Sequence, residues 1–131
     1  MAMKEQDIIR HLEKYGVKGK LGSSIWTMPT SLTGGLNYIN VNFSYQVLNF
    51  SDSEIAIIGI NQVNNKIVDD KPDVIPINIV TGVSFKKGFL FNKMMIATTE
   101  GNLSYKVMKN IMNKKWHKAN YKNLLLRFKD K

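Results

Sequence analysis

The sequence has no cysteine, only three prolines, and ten acidic residues against 19 basic ones. Without cysteine, disulfides, thiolate nucleophiles and cysteine-based metal sites are excluded. No stretch approaches the ~18 apolar residues that a membrane-spanning helix needs, so we expect no transmembrane segment. The first residues include acids and lack a long apolar core, which is unlike a signal peptide. Together these absences predict a cytoplasmic protein.

Residues suited to catalysis are also scarce, because the sequence contains only two histidines. We expect His11 to be a surface residue, and His117 to lie among lysines that oppose its protonation. A metal site with several ligands could form only if distant carboxylates contributed to it. Asp69, Asp70 and Asp73 cluster in one segment, which is typical of an exposed acidic turn. The sequence therefore predicts a protein that is not an enzyme and that has no metal or cofactor.

A chain of 131 residues, 44% hydrophobic and 22% charged, has the length and composition of a single globular domain. We divide it into an N-terminal helix (1–15), a strand-rich body with a terminal helix (16–119) and a basic tail (120–131). Apolar residues recur at helical spacing in the first segment, and Gly16 can provide its left-handed C-terminal cap.

The clearest signal is a strict alternation of apolar and polar residues over positions 39–47, which predicts a half-buried strand. Residues 54–60 predict a second strand that pairs with the first as an antiparallel hairpin. Earlier in the chain, residues 24–28 predict a short strand that ends at Pro29, and residues 29–35 predict a loop.

The second half of the body contains further strand patterns. Residues 74–79 include Pro76, which places this strand at a sheet edge or before a bend. Turns at Gly88 and at residues 100–102 separate three more predicted strands, at 82–87, 91–99 and 103–107. The sequence thus predicts a mainly β protein of about seven antiparallel strands, with a helix at each end.

The predicted terminal helix carries two apolar stripes that point in roughly opposite directions. The first stripe consists of Met108, Ile111, Met112 and Ala119, with Trp116 at its margin. The second stripe, here called the tail stripe, consists of Tyr121, Leu124, Leu125 and Phe128. One straight helix cannot lay both stripes on the same surface. We therefore expect a bend or break near residues 118–120, or packing of the tail stripe on the N-terminal helix or on a second copy of the chain.

The run from residue 74 to residue 111 resembles the second half of bacterial pleckstrin-homology-like (PH-like) domains. The matching features are Ile75-Pro76, the Lys87-Gly88 turn, an apolar strand ending at Thr99, the Glu100-Gly101 turn and a last strand before a helix. The hairpin at 39–60 fits an earlier pair of strands, so the resemblance covers roughly residues 36–118.

This resemblance implies an antiparallel PH-like barrel closed by a C-terminal helix. It also implies a binding or assembly module rather than an enzyme. PH domains that bind inositol phosphates use basic residues around the loop between their first two strands. The candidate loops here, 29–35 and 49–54, contain no lysine or arginine, so no inositol-phosphate site is expected.

Positive charge is concentrated at the C-terminus, where the last 26 residues hold nine basic residues and one acid. The candidate anion-binding residues on the predicted helix are Lys114, Lys115, Lys118 and Lys122. A second basic group, formed by Lys86, Lys87 and Lys93, surrounds the Gly88 turn. These lysines would suit nucleic acid or an anionic membrane surface, although a solvated helix face that binds nothing has the same pattern.

Our leading hypothesis from sequence is a cytoplasmic interaction module that binds a protein partner or itself. The candidate contact residues are those of the tail stripe, because on the helical wheel they form an apolar surface that the strand-rich body cannot cover. The alternative is binding of nucleic acid or anionic lipid through the basic C-terminal helix.

Overall fold

The structure is a computed structural model, and it describes residues 3–36, 39–40, 43–109, 111 and 114–128. Two α-helices occur in this part of the chain, α1 (Glu5–Lys14) and α2 (Lys115–Arg127). The strands are β1 (Ser24–Gly34), β2 (Tyr45–Phe50), β3 (Glu54–Ile60), β4 (Asp73–Pro76), β5 (Val80–Lys86), β6 (Phe91–Thr98) and β7 (Gly101–Met108). Neither of these helices has the length and apolar character needed to cross a membrane.

The seven strands form one antiparallel sheet in the order β4-β3-β2-β1-β7-β6-β5. Strand β1 is central because its first part pairs with β2 and its second part pairs with β7. Strands β4 and β5 are the two edges, and a short 3₁₀ turn (Ile77–Ile79) connects them. The prediction of a mainly β fold with a helix at each end is confirmed. The seven strands form an open sheet and not a closed barrel.

Helix α1 packs on one face of this sheet and most of α2 on the other, while Trp116 in the first turn of α2 packs on the same cluster as α1. Alternate strand residues point to opposite faces, and they divide the core into two clusters. The inner face carries the larger cluster, which includes Ile25, Leu48 and the α2 residue Leu124. The outer face carries the smaller cluster, in which α1 residues Ile8 and Leu12 pack on β1, β2 and β3. The outer face of β5, β6 and β7 lies beyond this cluster.

The N-terminal helix and its cap agree with the sequence prediction. Helix α1 ends at Lys14, and Gly16 has a φ of 73°, which is the left-handed conformation expected after a helix. The predicted strands at 54–60, 82–87, 91–99 and 103–107 are also confirmed, with small differences at their ends. Residues 74–79 form only the short edge strand β4 and the 3₁₀ turn.

Strand β1 is longer than predicted, because Pro29 does not end it. The register between β1 and β7 shifts between Pro29 and Ser31, which makes Thr30 the extra residue of a β-bulge. A bulge leaves a residue out of the hydrogen-bonded ladder, so it accommodates a proline inside a central strand. The prediction of a loop at 29–35 was therefore wrong for most of that segment.

The prediction of a strand over residues 39–47 was also wrong in its position. Strand β2 begins at Tyr45, and residues 39–40 and 43–44 lie outside any strand, while 41–42 fall outside the described residues. Ile39 is buried in the inner cluster, and the ring of Phe43 covers Gly59 on β3. A connection that folds its apolar side chains back onto the core shows the same alternation as a strand.

Helix α2 begins at Lys115, later than predicted. Met108 pairs with Phe91 at the end of β7, so it belongs to the sheet and not to a helical stripe. The first predicted stripe therefore does not exist as one helix face, and its member Met112 lies outside the described residues. The helix continues through residues 118–120 without the expected break.

Candidate functional site

The tail stripe lies in the core of the chain itself. Tyr121 and Leu124 are each only 4% exposed in the inner cluster, and Leu125 and Phe128 pack against that cluster. The Tyr121 hydroxyl accepts a hydrogen bond from the Asn92 side chain on β6 at 2.8 Å. The premise that the sheet does not cover this stripe was wrong, because α2 packs this face against the inner cluster.

Side chains of α2 also hydrogen-bond backbone groups of β1 in the part of this strand that does not pair with β7. Asn120 donates a hydrogen bond to the Ser24 carbonyl at 3.0 Å. The backbone N–H of Trp26 donates to His117 Nδ1 at 3.0 Å, and His117 Nε2–H donates to the Met108 carbonyl at 2.6 Å. Burial lowers the pKa of His117, and nearby Lys114 lowers it further, as the sequence predicted for neighbouring cations.

His11 was wrongly predicted to be a surface residue. It is buried against the loop between β3 and β4, where its Nε2–H donates to the Asp70 carbonyl at 3.0 Å. Asp69 stays exposed and accepts hydrogen bonds from Lys14 and Tyr15, which lower the pKa of its carboxyl group. This acidic segment therefore anchors α1.

Among the described residues, no three histidine or acidic side chains are grouped as metal ligands would be.

The described basic residues of the C-terminal segment are spread over β7, the segment after it and α2. The Lys114 ammonium lies 4.3 Å from the centre of the Trp26 ring on the outer face, and burial lowers its pKa. Lys115, Lys118 and Lys122 are exposed along α2, the helix that packs on the inner face. The structure thus places these three lysines on a different element from the lysines of the β5–β6 hairpin.

Three lysines lie side by side on the outer face of β5, β6 and β7, where Lys86 and Lys93 are exposed and Lys106 is partly exposed. Lys86 on β5 is opposite Lys93 on β6, and Lys93 is opposite Lys106 on β7. We call this set the lysine row. Neighbouring strands are about 4.8 Å apart, so the three backbone positions span roughly 10 Å. In the described part of the chain, the salt bridges involve Arg10, Lys14 and Lys20 and not the lysine row.

The next rung of the sheet carries hydroxyl groups. Ser84, Met95, Ser104 and Ser31 follow one another across β5, β6, β7 and β1. The bulge at Thr30 brings one more hydroxyl to this rung, since Thr30 and Ser31 are both exposed.

These two rungs line a depression of about 500 Å³. Its lining residues are Thr30, Ser31, Ser84, Phe85, Lys86, Lys93, Met94, Met95, Ser104, Tyr105 and Lys106. No carboxylate is among them. The wall combines three lysines and four serine or threonine side chains with a lining surface that is mostly apolar.

No family model, curated protein or solved structure matches this chain. The candidate site therefore rests on its geometry alone.

The turn between β5 and β6 exposes two large apolar side chains. Phe89 is 94% exposed and Leu90 is 68% exposed. Lys87, also exposed, stands at the start of the same turn. We call Lys87, Gly88, Phe89 and Leu90 the hairpin tip. Two neighbouring apolar side chains exposed at the end of a hairpin lie outside the core, which makes the hairpin tip a candidate contact surface.

The base of the hairpin tip is anchored to the rest of the protein. The Gly88 N–H donates to the Asn92 side chain at 3.3 Å, and Asn92 in turn donates to Tyr121 on α2. A Cβ at Gly88 would lie 2.2 Å from the Phe91 carbonyl oxygen, so this turn requires glycine. The Lys106 ammonium lies 4.6 Å from the centre of the Phe91 ring, beside the tip.

Sequence reasoning identified part of this site. Lys86, Lys87 and Lys93 were recognised around the Gly88 turn, and the structure places all three on the β5–β6 hairpin. Lys106 was counted with the C-terminal charge, because its pairing with Lys93 depends on strand register. Phe89 and Leu90 were missed, although two apolar residues directly after Lys-Lys-Gly in a turn are an available signal.

Proposed function

We propose that this protein is a non-catalytic binding protein that attaches to anionic lipid surfaces through its β5–β6 hairpin. The observation that carries the proposal is the exposure of Phe89 and Leu90 at the hairpin tip, directly below the lysine row. The apolar pair would enter the membrane interface while the lysines contact the headgroups.

The energies of these contacts suit reversible attachment. Each lysine near an anionic surface contributes about 1 kcal/mol. Full burial of a phenylalanine or leucine side chain contributes about 1.5–3 kcal/mol, and insertion into an interface realises part of that. Three or four lysines with two apolar side chains therefore give roughly 5–7 kcal/mol before ordering costs, which corresponds to weak, salt-sensitive binding.

Among the described residues, the other exposed large apolar side chains (Leu21, Val63, Met95 and Leu126) have no exposed large apolar residue next to them in the chain. Val63 is 90% exposed and Leu21 is 59% exposed, but each is a single apolar side chain in its loop. Phe89 and Leu90 are adjacent and lie within a few residues of Lys86, Lys87 and Lys93. Charge complementarity therefore favours an anionic lipid surface over a neutral one.

Membership of the PH-like family remains a proposal. It is supported by the antiparallel strands and by the C-terminal helix on the inner face of the sheet. Binding of a protein partner also remains a proposal. The tail stripe no longer supports it, because those residues are packed inside the chain.

The test is co-sedimentation with vesicles of phosphatidylcholine, with and without phosphatidylserine. We expect the wild type to bind only the anionic vesicles and to release as salt is added. The variant Phe89→Ser/Leu90→Ser should lose most of this binding. The matched control Leu21→Ser/Val63→Ser changes two other exposed apolar residues, 59% and 90% exposed, and should bind as the wild type does.

Equal binding by the tip variant and the wild type would contradict the proposal. A parallel titration with a single-stranded oligonucleotide addresses the rival ligand. If the oligonucleotide binds at physiological salt and the vesicles do not, the hairpin is a nucleic-acid surface and the membrane proposal is wrong.

A further inference from the structure

We propose that the depression beside the lysine row binds a phosphomonoester group that a lipid headgroup carries. This inference rests on the proposed membrane attachment and specifies the headgroup chemistry for the same hairpin. The hairpin tip would supply affinity for the surface, and the depression would select among anionic lipids.

The charge of the lysine row is the first argument. Like charges directly opposite each other across strands destabilise a sheet. Here Lys93 faces a lysine on both sides, with no carboxylate among the residues that line the depression. A phosphomonoester carries a charge of about −1.5 to −2 at neutral pH and would neutralise most of this row at one point.

The hydroxyl groups are the second argument. Three terminal oxygens of a phosphomonoester accept hydrogen bonds, whereas a phosphodiester offers only two unesterified oxygens. The rung next to the lysine row supplies Ser104 and Ser31 on neighbouring strands, about 4.8 Å apart, and the bulge adds Thr30, while Ser84 lies two strands from Ser104, beyond Met95. Donors on two adjacent rungs therefore fit a tetrahedral anion with several acceptor atoms.

The position of the depression is the third argument. The lysine row lies where β5 and β6 leave the hairpin tip, so a surface that receives Phe89 and Leu90 brings its headgroups to these lysines. The space of about 500 Å³ accommodates a phosphate with part of its attached group. The ring of Phe91 holds the Lys106 ammonium at the tip end of the row.

The first experiment compares vesicles that contain phosphatidic acid, a phosphomonoester, with vesicles that contain the same fraction of phosphatidylglycerol, a phosphodiester. We expect the wild type to bind phosphatidic acid more tightly by roughly tenfold, because one hydrogen bond to a charged group is worth about one decade in affinity. Lys93→Gln should lose this preference and keep some binding to both. The control Lys71→Gln alters an exposed lysine away from the hairpin and should retain the preference.

Equal affinity of the wild type for the two lipids would overturn the inference and leave membrane attachment intact. Absence of binding to either lipid would overturn both proposals. A separate titration with inorganic phosphate tests whether the depression binds a phosphate that is not attached to a lipid. If it perturbs the amide resonances of Ser84, Met95 and Ser104 while neither vesicle binds, the ligand is a free phosphate compound and the lipid source is wrong.

A stability measurement separates a binding role from a structural one. Lys93→Gln relieves like-charge repulsion, so its melting temperature without phosphate should equal or exceed that of the wild type. Inorganic phosphate should raise the wild-type melting temperature more than chloride at matched ionic strength, and this increment should disappear in Lys93→Gln. A variant that melts lower and keeps the phosphate increment would contradict the assignment.

Discussion

At the residue scale, His117 is held in its neutral form by two hydrogen bonds that use both ring nitrogens. Nδ1 accepts a hydrogen bond from the Trp26 backbone N–H, so protonation of Nδ1 would place two N–H donors against each other. Nε2–H already donates to the Met108 carbonyl. Burial is the largest cause that lowers the pKa of this residue, and Lys114 acts in the same direction. The side chain therefore links folding to pH.

We predict that the free energy of unfolding falls as the pH drops below about 6.5, the ordinary pKa of an unfolded histidine. In that range the unfolded chain binds a proton that folded His117 does not, and the loss ends once the pH passes below the folded pKa. The slope from this one group cannot exceed about 1.4 kcal/mol per pH unit. Urea unfolding at a series of pH values measures it.

The variant His117→Asn retains an acceptor for Trp26 and cannot be protonated. It should be less stable than the wild type by about 1–3 kcal/mol at neutral pH, because it loses the Met108 bond. The difference between the two proteins should shrink as the pH falls from about 7 to about 5. A difference that stays constant over this range would show that His117 does not titrate in it.

At the scale of elements, α2 is part of the core and not an external arm. Its residues Tyr121 and Leu124 are buried on the inner face. Arg127 donates to the carbonyls of Phe50 and Ser51 at 3.1 Å each, which fixes the end of the helix against β2. The basic character of this helix therefore describes its exposed side only.

We predict that Leu124→Ala lowers the free energy of unfolding by about 2–4 kcal/mol, since it removes a buried leucine from the core. Leu126 provides a matched control on the same helix, because it is 64% exposed. Leu126→Ala should change the stability by less than about 0.5 kcal/mol. Urea unfolding of the wild type and both variants measures these changes in stability. If Leu124→Ala instead changed only the oligomeric state in sedimentation, the earlier self-association hypothesis would return.

At the scale of the whole molecule, Glu5 joins both helices to the centre of the sheet. Glu5 lies on α1 and its side chain is buried. Its carboxylate accepts hydrogen bonds from the Gly22 and Ser24 backbone N–H groups at 3.0–3.1 Å. It also accepts from the Asn120 side chain of α2 at 3.1 Å. One acidic side chain thus connects the two layers that cover opposite faces of the sheet.

Glu5→Ala should lower the free energy of unfolding by about 2–4 kcal/mol, because it leaves several donors without an acceptor. Glu13 lies on the same helix and is exposed, so Glu13→Ala serves as the control and should change stability by less than about 0.5 kcal/mol. Glu5→Gln keeps one acceptor oxygen, so its free energy of unfolding should lie between those of Glu5→Ala and Glu13→Ala. Equal stability of the two alanine variants in urea would rule out this coupling role.

Much of the fold could be predicted where the local pattern and the tertiary environment agree. Strands β3, β6 and β7 follow their apolar runs and turns, and α1 follows its helical spacing. Prediction failed where distant partners decide the conformation. Pro29 lies inside β1 because β7 tolerates a bulge there, and Met108 is a strand residue because it pairs with Phe91.

The candidate site shows the same division. The sequence by itself determined the composition of the hairpin, in which lysines, a required glycine and two apolar residues are contiguous in the chain. Only the tertiary structure decided that Lys106 completes the lysine row and that Ser31, Ser84 and Ser104 share the next rung, because strand register aligns residues that are far apart in sequence. It also decided that the tail stripe is buried, because the surface that a helix face packs on is set by contacts with strands far away in the sequence.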